Sequence, residues 1–180
     1  LEAEGAADPG VHGSIPAYVG AEAAAKRLAG RAEWAAARVL KAVPDRAQLP
    51  VRVQALSEGK LVYMAVPRMA DVEPFYVLDP ATLTAPFEQA ATGRGAARTA
   101  ARVGTGHMRP VDLVVCGCVA VNRTGARLGK GAGYSDIEVA LLHEAGRIND
   151  RTPIITTVHP LQIIEDDVPE SDHDFRVDLI

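Results

Sequence analysis

Gly125-Ala126-Arg127-Leu128-Gly129-Lys130-Gly131-Ala132-Gly133-Tyr134-Ser135-Asp136 sets four glycines within nine residues and places two cations among them. An apolar run, Leu113 to Val121, leads into this stretch, and a helix-like segment, Ser135 to Ala145, leads out. The order is strand, glycine loop, helix. Glycine permits positive φ and carries no Cβ, so several backbone N–H groups can converge on one anion. The start of the following helix adds unpaired N–H groups and a partial positive charge, worth about 0.3–1 kcal/mol toward an anion. Arg127 can offer two parallel donors to a phosphate, and Lys130 adds a point charge. The loop reads as a phosphate cradle. It has no Gly-Lys-Ser/Thr ending of a Walker loop, and it fails the dinucleotide spacing Gly-x-Gly-x-x-Gly. The competing reading is a plain turn; the interleaved cations, with Asp136 just behind them, favour the cradle.

Composition narrows the classes. One domain over residues 1–180 is the natural count for 180 residues. With 48% apolar and only 4% aromatic residues, the core is built of Ala, Val, Leu and Ile, as in an α/β layered protein. A formal charge of −4 argues against nucleic-acid and membrane-surface binding. No apolar run is long enough to span a bilayer, and no signal peptide opens the chain, so a cytoplasmic protein is expected. Leu1 is not an initiating residue, which suggests a truncated or processed product. Cys116 and Cys118 lie in one apolar run, where they share a strand face and serve as small buried residues. No further ligands are spaced for zinc.

Read in order, residues 1–20 are irregular, and Ala21 to Ala29 is a helix stopped by Gly30. Ala32 to Ala37 forms a second helix, and Arg38 to Val43 the first strand. Pro44 to Leu49 is a loop, Pro50 to Ser57 a helix with proline at its start, and Lys60 to Val66 a strand ended by Pro67. Phe75 to Leu78 is a short strand. Arg94, Arg98 and Arg102 align on one face if the stretch is helical. Asp112 to Val121 reads as one central strand buried on both faces. After the glycine loop, Ser135 to Ala145 shows Ile137, Ala140, Leu141 and Ala145 as an apolar stripe at helical spacing, with Gly146 as its stop. Ile154 to Val158 is another central strand, and Arg176 to Ile180 begins a last one. Alternating strands and helices predict an α/β fold with a mostly parallel sheet. An acidic cluster, Glu165, Asp166, Asp167, Glu170, Asp172, Asp174 and Asp178, reads first as a solvated loop. Its functional alternative is a magnesium carboxylate acting beside Asp136.

The glycine loop resembles the signature of the 5-formyltetrahydrofolate cyclo-ligase family, Gly-x-Arg-Leu-Gly-x-Gly-x-Gly-Tyr-Tyr-Asp. Weaker matches are Gly59-Lys60 with Val62 and Pro67, then Gln162, His173-Asp174 and Val177-Asp178, so that the likeness covers roughly residues 38–180. The resemblance implies a three-layer α/β/α fold of the kind shared with sugar-phosphate isomerases and CoA transferases. It also implies ATP and Mg²⁺ as cofactors, a reduced folate as substrate, and conversion of 5-formyltetrahydrofolate to 5,10-methenyltetrahydrofolate. On that pattern Arg127, Gly129, Lys130, Gly131, Ala132, Gly133 and Tyr134 bind the nucleotide, Tyr134 and Lys130 take part in catalysis, and Asp136 and Asp174 hold the metal. Monomer or homodimer is the expected state. Ser135 replaces a second signature tyrosine, Gln48 is the nearest counterpart of an acid after the first strand, and the family's basic N-terminal helix is absent. Together with Ile15-Pro16 through Val19-Gly20, these departures resemble a divergent cyclo-ligase-like branch. The alternatives are a nucleotide-binding relative with another small-molecule substrate, such as a thiamin-related one, and a non-catalytic binding module.

Overall fold

The computed structural model describes residues 1–67 and 72–180. Its centre is a six-stranded sheet. The strands are β1 (Val39–Ala42), β2 (Leu61–Ala65), β3 (Phe75–Leu78), β4 (Ala101–Val103), β5 (Leu113–Cys116) and, after two short strands of a second sheet, β8 (Ile154–Thr156), in the order β4-β3-β2-β1-β5-β8. The pairs β2–β1, β1–β5 and β5–β8 are parallel, whereas β3 runs against both of its neighbours. The expected mostly parallel sheet is therefore present, with one reversed strand near an edge.

Strand alternation divides the core into two layers. Leu40, Ala42, Val62, Met64, Leu113 and Val115 pack toward the helices that precede β5: α1 (Ala21–Ala29), α2 (Ala32–Ala36), α3 (Leu49–Ser57), α4 (Phe87–Ala90) and α5 (Gly93–Thr99). Val39, Tyr63, Ala65 and Val114 face the other way, against Leu142 of α6 (Tyr134–Glu144) and Ile148. This is the three-layer α/β/α arrangement. The inner strands bury both faces because helices cover both, which is why β1 and β5 are buried at every residue.

Several sequence expectations are corrected. The run from Asp112 to Val121 is two strands, because the chain leaves the main sheet at Gly117. Beyond it, β6 (Ala120–Asn122) joins a small sheet with β7 (Arg127–Leu128) and β9 (Ile163–Ile164), in the order β7-β6-β9. Cys118 thus lies outside any strand, although both thiols are buried and pack in one cluster. β8 ends the main sheet rather than lying inside it. The segment Arg176 to Ile180 contributes a single bridge, Leu179 to Ile155. Arg102 stands in β4, because α5 stops at Thr99, so the three arginines share no helix face. In α6 the fully buried positions are Glu138 and Leu142, and Ile137 is 53% exposed. An i, i+4 pair one residue out of phase with the expected stripe thus faces the sheet. The segment 44–49 is a loop only at its start: Arg46–Gln48 is a 3-10 turn that runs into α3. Residues 1–20 form turns and one bridge, Ala7 to Tyr18, with Ile15 and Tyr18 buried against Ala47.

Candidate active site

Parallel strands deliver their C-terminal ends to one edge of a sheet, where α/β proteins open their clefts. Here a cleft of about 250 Å³ lies beyond β1, β2 and β5. Val43 to Asp45 follow β1, Ala65 to Pro67 end β2, and Gly117 follows β5; Ile15 closes one side. The opposite wall is the glycine loop and the first turn of α6, with Arg127, Gly129, Lys130, Ala132, Gly133, Tyr134, Ser135 and Asp136. Gly117 permits the close approach on the floor: a Cβ there would stand 2.8 Å from Gln48 Oε1 and 3.1 Å from Ile15 Cγ2. Gly131 and Gly133 have φ of +85° and +66°, values that side chains with a Cβ rarely adopt. Gly133 delivers the chain into α6, whose start has no side-chain cap. The first-turn N–H groups of α6 are therefore free of side-chain acceptors at the cleft wall.

Three ion pairs among the described residues organise the charge. Arg127 Nη2 donates to Asp136 Oδ1, and both side chains are largely buried. The Arg127 guanidinium lies 3.7 Å from the centre of the Phe175 ring, and its buried Nε has no hydrogen-bond partner among the described residues. Lys130 Nζ reaches Asp45 Oδ1 at 3.2 Å, joining the glycine loop to the end of β1. Beneath them Lys41 Nζ donates to Glu138 Oε2, a pair removed from water. Asp174 accepts from Ser171 N at 2.6 Å and Ser171 Oγ at 3.0 Å. These bonds hold its carboxyl below the usual carboxylate range, and the Arg127 charge adds to the shift.

Of the positions singled out in the sequence, Arg127, Gly129, Lys130, Ala132, Gly133, Tyr134 and Asp136 line the cleft, whereas Gly131 and Asp174 do not. Gly125 serves elsewhere: at φ +86° it turns β6 into β7, and a Cβ would meet Val177 O at 2.2 Å. Gly131 shapes the loop rather than the wall. Asp174 is on the C-terminal segment, held by Ser171. Much of the acidic cluster has structural partners: Glu165 pairs with Arg123, Glu170 with Arg176, and Asp178 accepts from Ile154 N. No group of three or more His, Cys, Asp or Glu side chains arranged for a metal occurs among the described residues. A nucleotide-bound magnesium needs only one or two carboxylates.

Asp45, Lys41 and Glu138 were not singled out in the sequence, and Ile15 was noted there only as part of a branch motif. Asp45, not Gln48, is the acid that follows β1 into the cleft. Gln48 is buried and donates Nε2 to Thr157 O at 3.1 Å and Thr157 Oγ1 at 3.2 Å. One signal was present: Lys41 interrupts an apolar strand, Val39 to Val43, where a charge has no business without a partner. The thiols have no place in the chemistry. Burial pushes Cys116 up to about 12 and raises Cys118 as well, so neither supplies a thiolate near neutral pH.

A profile of the 5-formyltetrahydrofolate cyclo-ligase family matches residues 9–180. The chain belongs to this family. The match begins well ahead of the residue-38 start read from the motifs. Relatives with the name methenyltetrahydrofolate synthase domain-containing protein are 36% identical in Mus musculus and 32% identical in Homo sapiens, each over 174 residues and 94% of this chain. The chain spans about half the length of these curated relatives, 46% and 45% respectively. In fold it is similar to the 5,10-methenyltetrahydrofolate synthetase of Aquifex aeolicus, at 21% identity and a TM-score of 0.56, covering 88% of this chain and 76% of that one. The corresponding protein of Mycoplasma pneumoniae gives 14% identity and a TM-score of 0.52, covering 88% of this chain and 80% of that one.

Proposed function

We propose that this cyclo-ligase-family chain is an ATP- and Mg²⁺-dependent enzyme that converts 5-formyltetrahydrofolate to 5,10-methenyltetrahydrofolate. The observation that carries the reading is Arg127. It lies in the cleft wall, is oriented by Asp136 and Phe175, and keeps a buried Nε with no acceptor among the described residues. A largely buried guanidinium whose donors are not all used is a strong partner for a phosphate in the cleft it lines. Lys130 and the uncapped start of α6 converge on the same wall. This donor set suits a polyphosphate.

ATP, when bound, supplies the phosphoryl group that turns the formamide oxygen into a leaving group. The chain's own contribution is positioning and neutralisation of charge. Arg127 would hold a phosphate through its guanidinium group. Lys130 would exchange Asp45 for a phosphate oxygen. Tyr134, 38% exposed on the cleft wall, would lie along the formyl end of the substrate. Asp136, whose Oδ2 is not taken by Arg127, and Asp174 would supply the carboxylates for magnesium. Val43, Ala65, Val66 and Pro67 would exclude water from the ring.

A second reading keeps the nucleotide and changes the substrate to another small molecule with an activatable carbonyl. Ser135 favours it, because it lies in the cleft wall where the family signature has a second tyrosine. Thermal shift separates the two. The first reading predicts that ATP·Mg²⁺ and 5-formyltetrahydrofolate each raise Tm. A rise with ATP·Mg²⁺ alone selects the second, and no rise with either contradicts both.

A further inference from the structure

Lys41 is fully buried in the middle of a parallel strand, yet it carries an ammonium. Its side chain follows that of Val39 on the α6 face of the sheet, level with Tyr63 of β2. Ala65, two residues beyond Tyr63, lies on that face at the cleft edge. Glu138 stands one helical turn before Leu142, the α6 residue that packs there, and is 4% exposed. Glu138 nevertheless lines the cleft. Lys41 engages Oε2, while Oε1 has no hydrogen bond among the described residues.

A buried ion pair is a poor way to gain stability, since packed apolar side chains of the same volume often do as well or better. Its use here follows from what it presents. Lys41 cancels the charge of Glu138 and fixes its orientation, leaving Oε1 as one strong acceptor on a residue that lines the cleft together with Val43 and Ala65. A neutral pair gives a second cation little reason to enter. The group that fits is an uncharged N–H donor on a flat ring, lying against Val43 and Ala65, with the anionic part of the ligand toward Arg127 and Lys130.

We propose that Glu138, positioned by Lys41, is a specificity-determining residue that accepts a hydrogen bond from the exocyclic amino group of a heteroaromatic ligand. The inference rests on the ATP-dependent reading above. Two ligands in that reading carry such a group: the nucleotide base and the reduced pteridine.

The test measures affinities of wild type, Glu138→Gln and the double variant Lys41→Met/Glu138→Leu. The ligands are inorganic triphosphate, ATP, inosine triphosphate (an oxygen in place of the amino group) and 5-formyltetrahydrofolate. The double variant should fold, since two apolar side chains replace the pair, and should hold triphosphate as wild type does. It should lose roughly tenfold or more toward ATP or toward 5-formyltetrahydrofolate, as expected for one bond to a charged acceptor. The ligand that responds identifies the source of the amino group. In Glu138→Gln the amide oxygen stays on Lys41 and its NH₂ turns to the cleft, so acceptor becomes donor. If the base is the partner, the preference then moves from ATP toward inosine triphosphate; if the pteridine is, folate affinity falls while the ATP ratio holds. Should the double variant fail to fold, Glu138→Gln alone decides. Wild-type affinity for every ligand in the folded variants overturns the role of Glu138 and leaves the ATP-dependent reading standing. Wild-type protein that binds neither ATP nor folate overturns both.

Discussion

Lys130 is 43% exposed and paired with Asp45 at 3.2 Å. A pair this open to solvent is worth no more than about 1 kcal/mol, so a phosphate can draw Lys130 away at little cost. Lys130→Ala should therefore weaken ATP binding by about 1–3 kcal/mol while Tm changes little; calorimetric titration that finds unchanged affinity would remove Lys130 from the cradle. Cys116 gives a prediction in pH. Its folded-state value of about 12 exceeds the ordinary 9.0 because burial disfavours the thiolate. The unfolded chain then holds fewer protons than the folded one between these values, so stability is complete below about pH 9 and falls as pH rises toward 12. Chemical denaturation across that window should show a shallower alkaline loss in Cys116→Ala than in wild type; equal slopes would show that Cys116 contributes nothing to it.

The glycine loop and α6 act together, because the loop's backbone decides where the helix begins. A Cβ on Gly131 or Gly133 would meet no atom within 4 Å, so substitution there is opposed by φ alone. Gly131→Val and Gly133→Val should each cost about 1–3 kcal/mol of strain. They should also reduce ATP affinity by more than that, since the branched side chain occupies the approach to the cradle. Melting curves and titrations on the same samples check this, and a fall in Tm with normal ATP binding would make the loop structural only. The elements themselves were largely legible in the sequence. β3 and α1 match residue for residue, because turn residues and alanine-rich periodicity mark their ends. The break at Gly117 was not legible, since an apolar run looks the same whether it crosses one sheet or two. Nor was the inward stripe of α6: an inward-facing glutamate is intelligible only with Lys41 across from it, and that pairing joins residues far apart in sequence. For the same reason the loop residues proposed to hold phosphate were readable as a local pattern, whereas Asp45 and Glu138 joined the cleft lining only through the fold.

Across the whole molecule, Asp136 at the start of α6 pairs with Arg127 in the cleft wall, and Asp174 in the C-terminal segment feels the charge of the same arginine without lining the cleft. Removing the charge of Asp136 strands a largely buried guanidinium, so Asp136→Asn should lower stability as well as magnesium-dependent ATP affinity. Asp174 is exposed and, among the described residues, its side chain is bonded only to Ser171, so Asp174→Asn should leave the fold nearly intact and weaken the magnesium-dependent term. If both serve one ion, the double variant loses less ATP affinity than the sum of the single changes. Strict additivity in a double-mutant cycle would separate the two sites. The most direct test of the cyclo-ligase assignment is the absorbance of the methenyl-folate product on mixing the chain with 5-formyltetrahydrofolate, ATP and Mg²⁺. The account predicts a rise that requires all three and is lost in Arg127→Ala; a flat trace at high protein concentration, from a preparation that binds ATP, would contradict it.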